Sequence, residues 1–333
     1  MTEWLQGAEP LPILDQASVS LAREQVRRLS AQLGLSTTAA ESMAVVATEL
    51  AQNQLVHARQ GTFTTHKVER AGVVGVEIVA ADRGAGIASP TRALEEHGST
   101  AGGLGSGLAG ARRLSDEIDF DVRHGEGTCI RARKWQRPVP WRSEVAIIGR
   151  PLANEDVSGD DAAFFRLGET LTLGVADGLG HGPEAREASA RAIAVLKESS
   201  SSRLEDILRE CDAPLFETRG TVMAVARIDP KAQLVEHACV GNVQARLYRP
   251  RETQRFASHP GVLGAPKQGR RFRTETFPLQ TNDVLVMFSD GLSTKVDISE
   301  ELLLLWQHPI VIAEHILNRF GQSHDDAIVL VAR

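Results

Sequence analysis

The sequence predicts a two-domain α/β protein, with a helix-led first domain and a second domain of sheets packed face to face with helices outside. Three observations predict this. The chain has 333 residues, more than one hydrophobic core usually serves. The order of elements changes along it, from helix, helix, strand, loop, strand in the first half to a strand-dominated second half. Between the halves, "RARKWQRPVPWRSE" (residues 131–144) carries two prolines and two tryptophans, and its middle reads as a linker at 136–142. The first domain then spans residues 1–135 and the second 143–333.

In the first half, "ASVSLAREQVRRLSAQLGL" has helical apolar spacing and ends at a glycine. "TTAAESMAVVATELAQNQLVHA" follows as a second helix, with Thr37 or Thr38 as its cap. "AGVVGVEIVAADRG" is a strand running into a turn, and "SDEIDFDVRHGEGTCIRARKW" is a hairpin. In the second half "TLTLGVADG", "TVMAVARID", "QLVEHACVG", "QARLYRP", "DVLVMFSDG" and "DDAIVLVAR" read as strands. "GPEAREASARAIAVLKESS" and "PIVIAEHILNRFG" read as helices between them.

Bulk properties exclude several classes. A net charge of −6 with no basic cluster argues against a nucleic-acid binder. No apolar run approaches the length of a membrane span. "MTEWLQGAEPLPILDQ" lacks the basic and apolar regions of a signal peptide. Cys129, Cys211 and Cys239 are odd in number and far apart, without metal or disulfide-framework spacing. A cytoplasmic protein is expected.

Three pieces of the first half suit a nucleotide. Glu49 and Asn53 stand at i and i+4 on one helix face, where a carboxylate and a carboxamide can hold magnesium and position a hydroxyl. "AADRGAGI" ends a strand on Asp82, followed by Gly84 and Gly86. "GGLGSGLAGARRL" is a glycine-rich loop opening a helix, whose free N–H groups make an anion cradle.

Taken in order, "ELAQN", "DRGAGI", "GLGSGL" and "GEGT" resemble the four motifs of the GHKL superfamily of ATP-binding domains over residues 15–135. The wording is most similar to the anti-sigma and RsbT-type switch kinases, which phosphorylate a serine or threonine on a STAS-domain partner. The resemblance implies an α/β sandwich with helices on a mixed sheet. It implies ATP with magnesium as ligand, Asn53 as the magnesium ligand and Asp82 as acceptor from the adenine amino group. Gly84, Gly86, Gly103, Gly105 and Gly107 would shape the pocket, Thr128 would lie near the adenine end, and Glu49 would act as general base. Domains of this kind often form homodimers, and the amphipathic first helix suits that.

In the second half, acidic residues recur at strand ends. Asp160 and Asp161 precede one strand, Asp177 and Asp290 end two others, and Asp325 and Asp326 start the last. A single Asp-Gly at a strand end is a turn signal. Several such carboxylates packed together would repel one another, and divalent cations resolve that conflict. Hard oxygen ligands select magnesium or manganese, and a water between two such ions is suited to attack a phosphoester.

"SGDD", "ADGLGHG", "RGTVMAVARID", "CVGNVQARLY", "FSDGL" and "DDAIVLV" resemble the metal-dependent (PPM) serine/threonine phosphatases of the SpoIIE/RsbX branch, over residues 143–333. The implied fold is an α-β-β-α sandwich with two manganese or magnesium ions. By that resemblance Asp160, Asp177 with the Gly178 carbonyl, Asp290 and Asp325 are the ligands, and Asp161 and Asp326 are their weaker neighbours. Asp177 and Asp290 then count as catalytic. The phosphate-binding arginine of many eukaryotic members has no evident counterpart. His181 is either a proton donor to the leaving alkoxide or a turn histidine. In related phosphatases a helix near "GPEAREASARAIAVLKESS" controls assembly of the metal site.

The whole chain thus resembles a switch kinase fused to a phosphatase of opposite effect. Two readings follow. Either both activities address one site on a STAS-type partner, or the first domain is catalytically silent and senses ATP or a partner to regulate the phosphatase.

Overall fold

Asp15 starts the first helix among the described residues. Its carboxylate accepts from the Ser18 backbone N–H at 2.8 Å, and the Ser18 hydroxyl accepts from the Asp15 N–H at 3.1 Å, a reciprocal capping box. The structure, a computed structural model, describes residues 9–58, 60–95, 107–265 and 272–333. It divides into two units, Met1–Glu144 and Val145–Arg333.

The first unit contains β1 (Leu11–Ile13), α1 (Gln16–Gln32), α2 (Thr37–Asn53), a π-helical turn (Gln54–Ala58), β2 (Gly61–Arg70) and β3 (Val73–Asp82). It continues through α3 (Pro90–Glu95), α4 (Gly107–Leu114), β4 (Glu117–Arg123) and β5 (Gly127–Trp135). The N-cap of α2 is Ser36, whose hydroxyl accepts from the Ala39 N–H at 3.2 Å. Thr37, expected at the cap together with Thr38, is already the first helical residue, because the hydroxyl must sit three residues before the N–H it satisfies.

The strands of this unit lie in the order β1-β2-β3-β5-β4. All four neighbouring pairs are antiparallel, where a mixed sheet was expected. The reason is the placement of β5. The chain returns from β3 through α3 and α4 to start β4 in the same direction as β3, but β5 lies between those two strands. No parallel neighbours result within this set. The helices α1 and α2 bury Val19, Ala22 and Val26, and Met43, Ala47 and Leu50. The strands contribute Val76, Ile78, Ile118 and Phe120. On alternate strand positions Arg133 of β5 pairs with Glu77 of β3 at 2.6 Å, with Glu117 of β4 at 3.1 Å, and with Asp119. Burying so many charges is tolerable only because each acid meets a guanidinium.

The second unit contains β6 (Val145–Arg150), β7 (Asp160–Leu167), β8 (Thr170–Gly178), α5 (Gly182–Glu198), α6 (Leu204–Glu210), α7 (Asp212–Leu215) and β9 (Thr221–Asp229). Then come β10 (Leu234–Val240), β11 (Gln244–Arg249), β12 (Glu252–Arg255), β13 (Glu275–Pro278), β14 (Val284–Phe288), α8 (Leu302–Leu305), α9 (Pro309–Phe320) and β15 (Ala327–Ala332). Two antiparallel sheets form, β6-β15-β14-β11-β12 and β13-β10-β9-β8-β7. Their inner faces share a core that includes Val145, Ile147, Phe164, Leu173, Val175, Leu247, Leu285, Met287 and Leu330. On the outer face of the second sheet, α5 and α6 pack Ala188, Ala192, Leu196, Ile207 and Leu208 against Met223 and Val225. On the first sheet, α9 lies over β6 and β15 and buries Ile312 and Ile316. The result is the α-β-β-α sandwich expected from many strands with few helices.

Cys129, Cys211 and Cys239 are buried and unpaired. Among the described residues no helix is long and apolar enough to cross a membrane.

Candidate functional site

The apolar run of β3 ends on Asp82, whose register partners are Gly61 on β2 and Thr128 on β5. The Gly84 N–H donates to Asp82 Oδ1 at 2.8 Å and fixes the carboxylate after the strand turns. Burial pushes the Asp82 carboxyl up, and the backbone hydrogen bonds from Gly84 and Thr128 pull against that. A fixed acceptor, partly withdrawn from water, suits an amino group of a bound base.

Close backbone packing holds this corner together. Gly127 adopts φ +131°, and a Cβ there would lie 2.1 Å from the Asp82 carbonyl oxygen. Only glycine fits, which accounts for the "GEGT" turn. The Gly125 N–H donates to the Ala85 carbonyl at 2.9 Å and ties that turn to the loop carrying Gly84 and Gly86. Glu49 and Asn53 are half-buried on the last turns of α2. One residue further, Gln54 is buried and its Nε2 donates to the Thr62 and Ala81 carbonyls, both at 3.0 Å. That clamp brings the end of α2 to the strand end bearing Asp82, and His57 in the π-helical turn acts electrostatically on the same carboxylate. A π-helical turn at a site-forming helix end is a recurrent device. Gly107 opens α4 with φ +60°. Gly103 and Gly105 lie outside the described residues.

In the second unit, β7 and β8 pair so that Asp160 stands opposite Asp177. An open cleft of about 180 Å³ is lined by Asp177, Asp290, Asp325, Asn242, His181 and His324, among others. Asp160 is 2% exposed. Its Oδ2 accepts from the Ser289 hydroxyl at 2.6 Å, and Ser289 Oγ in turn accepts from the Ile328 N–H at 3.1 Å. Asn242 Nδ2 donates to Asp290 Oδ2 at 2.6 Å. Asp325 lines the cleft, whereas Asp326 accepts from the backbone N–H groups of Leu152 at 2.7 Å and Gly159 at 2.9 Å and holds that loop in place. Asp161 accepts from its neighbour's N–H, that of Ala162, at 2.8 Å.

The glycine after Asp177 has a packing reason. A Cβ on Gly178 would lie 2.0 Å from the Ala185 carbonyl, so the space is filled by the start of α5 rather than left open. That contact joins the helix directly to the strand end carrying Asp177. His181 is the N-cap residue of α5, with Nδ1 2.6 Å from Glu155 Oε1 and its side chain 58% exposed.

Burial pushes the Asp160 and Asp177 carboxyls well above the carboxylate range, and neighbouring carboxylates push them further. Asp325 is raised by burial and then by Asp290. For Asp177 the neighbouring acids Asp160 and Asp290 add to the effect of burial. Among the described residues no three acidic, histidine or cysteine side chains stand in a ready ligand shell. The donor set is all oxygen and suits a hard divalent cation.

A pH dependence follows. The unfolded chain titrates these carboxyls near about 4, so above that pH the metal-free folded form binds more protons than the unfolded one. Its stability should therefore fall as pH rises from about 5 to about 8. Thermal melts in EDTA should show that decline, and manganese should remove it. A melting temperature that rises over this window in EDTA would contradict the assignment.

Comparison with known proteins matches the two halves of the chain to different families. Residues 14–134 match the histidine kinase-like ATPase domain family, and residues 168–333 match the family Stage II sporulation protein E (SpoIIE). Over 125 residues the chain is 36% identical to the serine/threonine-protein kinase RsbT of Bacillus subtilis, covering 38% of this chain and 94% of the relative. Over 141 residues it is 26% identical to the phosphoserine phosphatase RsbX of the same organism, covering 42% of this chain and 69% of the relative. Among solved structures it is similar to a chain from one described as the bacterial stressosome, a modular system adapted to control secondary messenger signalling. That similarity has a TM-score of 0.54 at 30% identity over 58% of this chain and 100% of the other.

Sequence reasoning assigned no role to Gln54, Ser289, Asn242 or Gly127, although each lies inside a quoted segment. Gln54 was the most legible of these, an amide directly after Asn53 where the helix meets the sheet.

Proposed function

The chain belongs to the RsbT-related histidine kinase-like ATPases through its first unit and carries a SpoIIE-type phosphatase domain in its second, and we propose that the two units act in opposite directions on one partner. The second removes phosphate from a seryl or threonyl side chain, and the first adds it from ATP. The partner is a STAS-domain protein. The observation that carries this reading is the gathering of Asp177, Asp290 and Asp325 at one open cleft, with Asp160 paired opposite Asp177. Its support from relatives is that one is a serine/threonine kinase and the other a phosphoserine phosphatase. Joining them in one chain keeps each near the other's product.

Two magnesium or manganese ions, held by Asp160, Asp177, the Gly178 carbonyl, Asp290 and Asp325, would supply an activated water and neutralise charge on the phosphate. The chain's own residues prepare that site. Ser289 fixes the buried Asp160 carboxylate, Asn242 orients Asp290, and Asp326 braces the loop between β6 and β7. With Nδ1 of His181 engaged by Glu155, Nε2 is the nitrogen left to carry a proton to the leaving seryl oxygen.

In the first unit Asp82 accepts from the adenine amino group, with Thr128 beside it and Gly84, Gly86 and Gly107 shaping the pocket. Asn53 would hold magnesium with ATP. Glu49 takes the proton of the attacking hydroxyl as its oxygen bonds to the γ-phosphorus and ADP leaves.

Phosphate release from a phosphoseryl STAS domain, followed with manganese and with EDTA, tests the phosphatase half of this reading. Release that requires the ion is expected. Release that persists in EDTA would contradict it.

A further inference from the structure

A phosphoseryl or phosphothreonyl monoester carries nearly two negative charges at pH 7. A protein cation that meets those oxygens would set the orientation of the phosphate, and among the described residues of the second unit three arginines come into consideration. Arg150 directs its guanidinium to the carbonyls of Asp325, at 3.3 Å, and Gln322. Arg186 donates to the carbonyls of Ser158 at 3.4 Å and Asp160 at 3.1 Å. Both hold backbone in place.

Arg219 is different. It lies just before β9, and the backbone on that side is tied to the strand end that bears Asp177. The Leu179 N–H donates to the Gly220 carbonyl at 3.1 Å, and the Thr221 hydroxyl donates to the Asp177 carbonyl at 2.5 Å. The guanidinium reaches over the loop after β8, where a Cβ on Gly180 would lie 2.8 Å from Arg219 Nη1. Gly180 lines the same cleft as Asp177 and Asp290. Arg219 pairs with Glu184 of α5, and the two side chains are 48% and 68% exposed. An ion pair this exposed is weak, whereas a guanidinium on phosphate makes two parallel charge-assisted hydrogen bonds.

We propose that Arg219 is the residue that orients the substrate phosphate, exchanging Glu184 for the phosphate oxygens when a seryl or threonyl monoester enters the cleft. This rests on the reading of the cleft as a phosphoester site. Arg219 arrives from the start of β9 and binds at the loop edge of the cleft. Glu184 acts as an internal competitor that occupies the guanidinium between turnovers.

The test uses the full chain with manganese, measuring kcat and KM on a phosphoseryl peptide and, separately, calorimetric binding of inorganic phosphate. Arg219→Ala should raise KM and the phosphate dissociation constant about tenfold, with a smaller change in kcat. Arg219→Lys should recover part of the loss. Glu184→Gln releases the guanidinium and should tighten phosphate binding. A merely structural ion pair predicts that Arg219→Ala and Glu184→Gln shift both quantities in the same direction, and that outcome would overturn the proposal. So would unchanged phosphate binding in Arg219→Ala. No hydrolysis by the unmodified chain would instead overturn the reading of the cleft on which the proposal depends.

Discussion

An Asp290→Ala variant is expected to lose phosphoester hydrolysis by about a thousandfold while the metal-free protein becomes more heat-stable. The two effects have opposite signs because they come from the same charges. Asp290 is exposed beyond the end of β14, so its removal leaves the core of the sandwich untouched. Its charge raises Asp160, Asp177 and Asp325 together. Without it, those carboxyls ionise at less cost in the folded protein, and a cation that needs all of them loses a ligand. Paired activity assays and melts in EDTA would separate this from simple damage. Loss of activity together with a lowered melting temperature would point to a structural role for Asp290.

Glu49→Gln should lower phosphate transfer from ATP by about 10² to 10⁴-fold and leave nucleotide binding nearly intact. In the proposed site, binding would rest on Asp82, fixed by Gly84 and bordered by Thr128, and on the clamp that Gln54 makes with the Ala81 carbonyl. Glu49 lies a turn back along α2 from that clamp. Its substitution by an isosteric amide removes a proton acceptor without removing volume. Fluorescent-nucleotide titration alongside transfer of label to a STAS domain measures both quantities. Equal loss of binding and transfer would assign Glu49 to holding the nucleotide.

Much of the second unit was legible because its central strands are apolar on both faces. The runs at 170–178 and 221–229 coincide with β8 and β9, since buried central strands carry no polar alternation to blur their ends. In the first unit β2 escaped notice. Phe63 and Val68 are its only large apolar residues, and its ten residues are held by pairing along the full length of β3. Pairing of that kind leaves no signature in one segment alone. The short helices α6, α7 and α8 were likewise below the length at which helical spacing can be read.

The acidic strand ends were visible because each interrupts an apolar run. Their supports were not. Ser289 and Asn242 look like turn residues until the fold brings Ser289 against Asp160 and Asn242 against Asp290. Arg219 is separated in sequence from the Gly180 it overlies, and only the pairing of β8 with β9 brings them together. The close approach of α5 to Gly178 was equally invisible, because Ala185 meets that glycine only in the folded chain.

On the proposed function, one chain both adds and removes phosphate at one site. The most direct measurement is transfer of labelled phosphate from ATP to a STAS-domain partner by three forms of the full chain: unmodified, Asp290→Ala, and Asp290→Ala with Glu49→Ala. Label should accumulate on the partner with Asp290→Ala, stay low with the unmodified chain in manganese, and disappear when Glu49 is also lost. No label with Asp290→Ala, while ATP still alters dephosphorylation of the partner by the unmodified chain, would contradict the claim and make the first unit a nucleotide sensor.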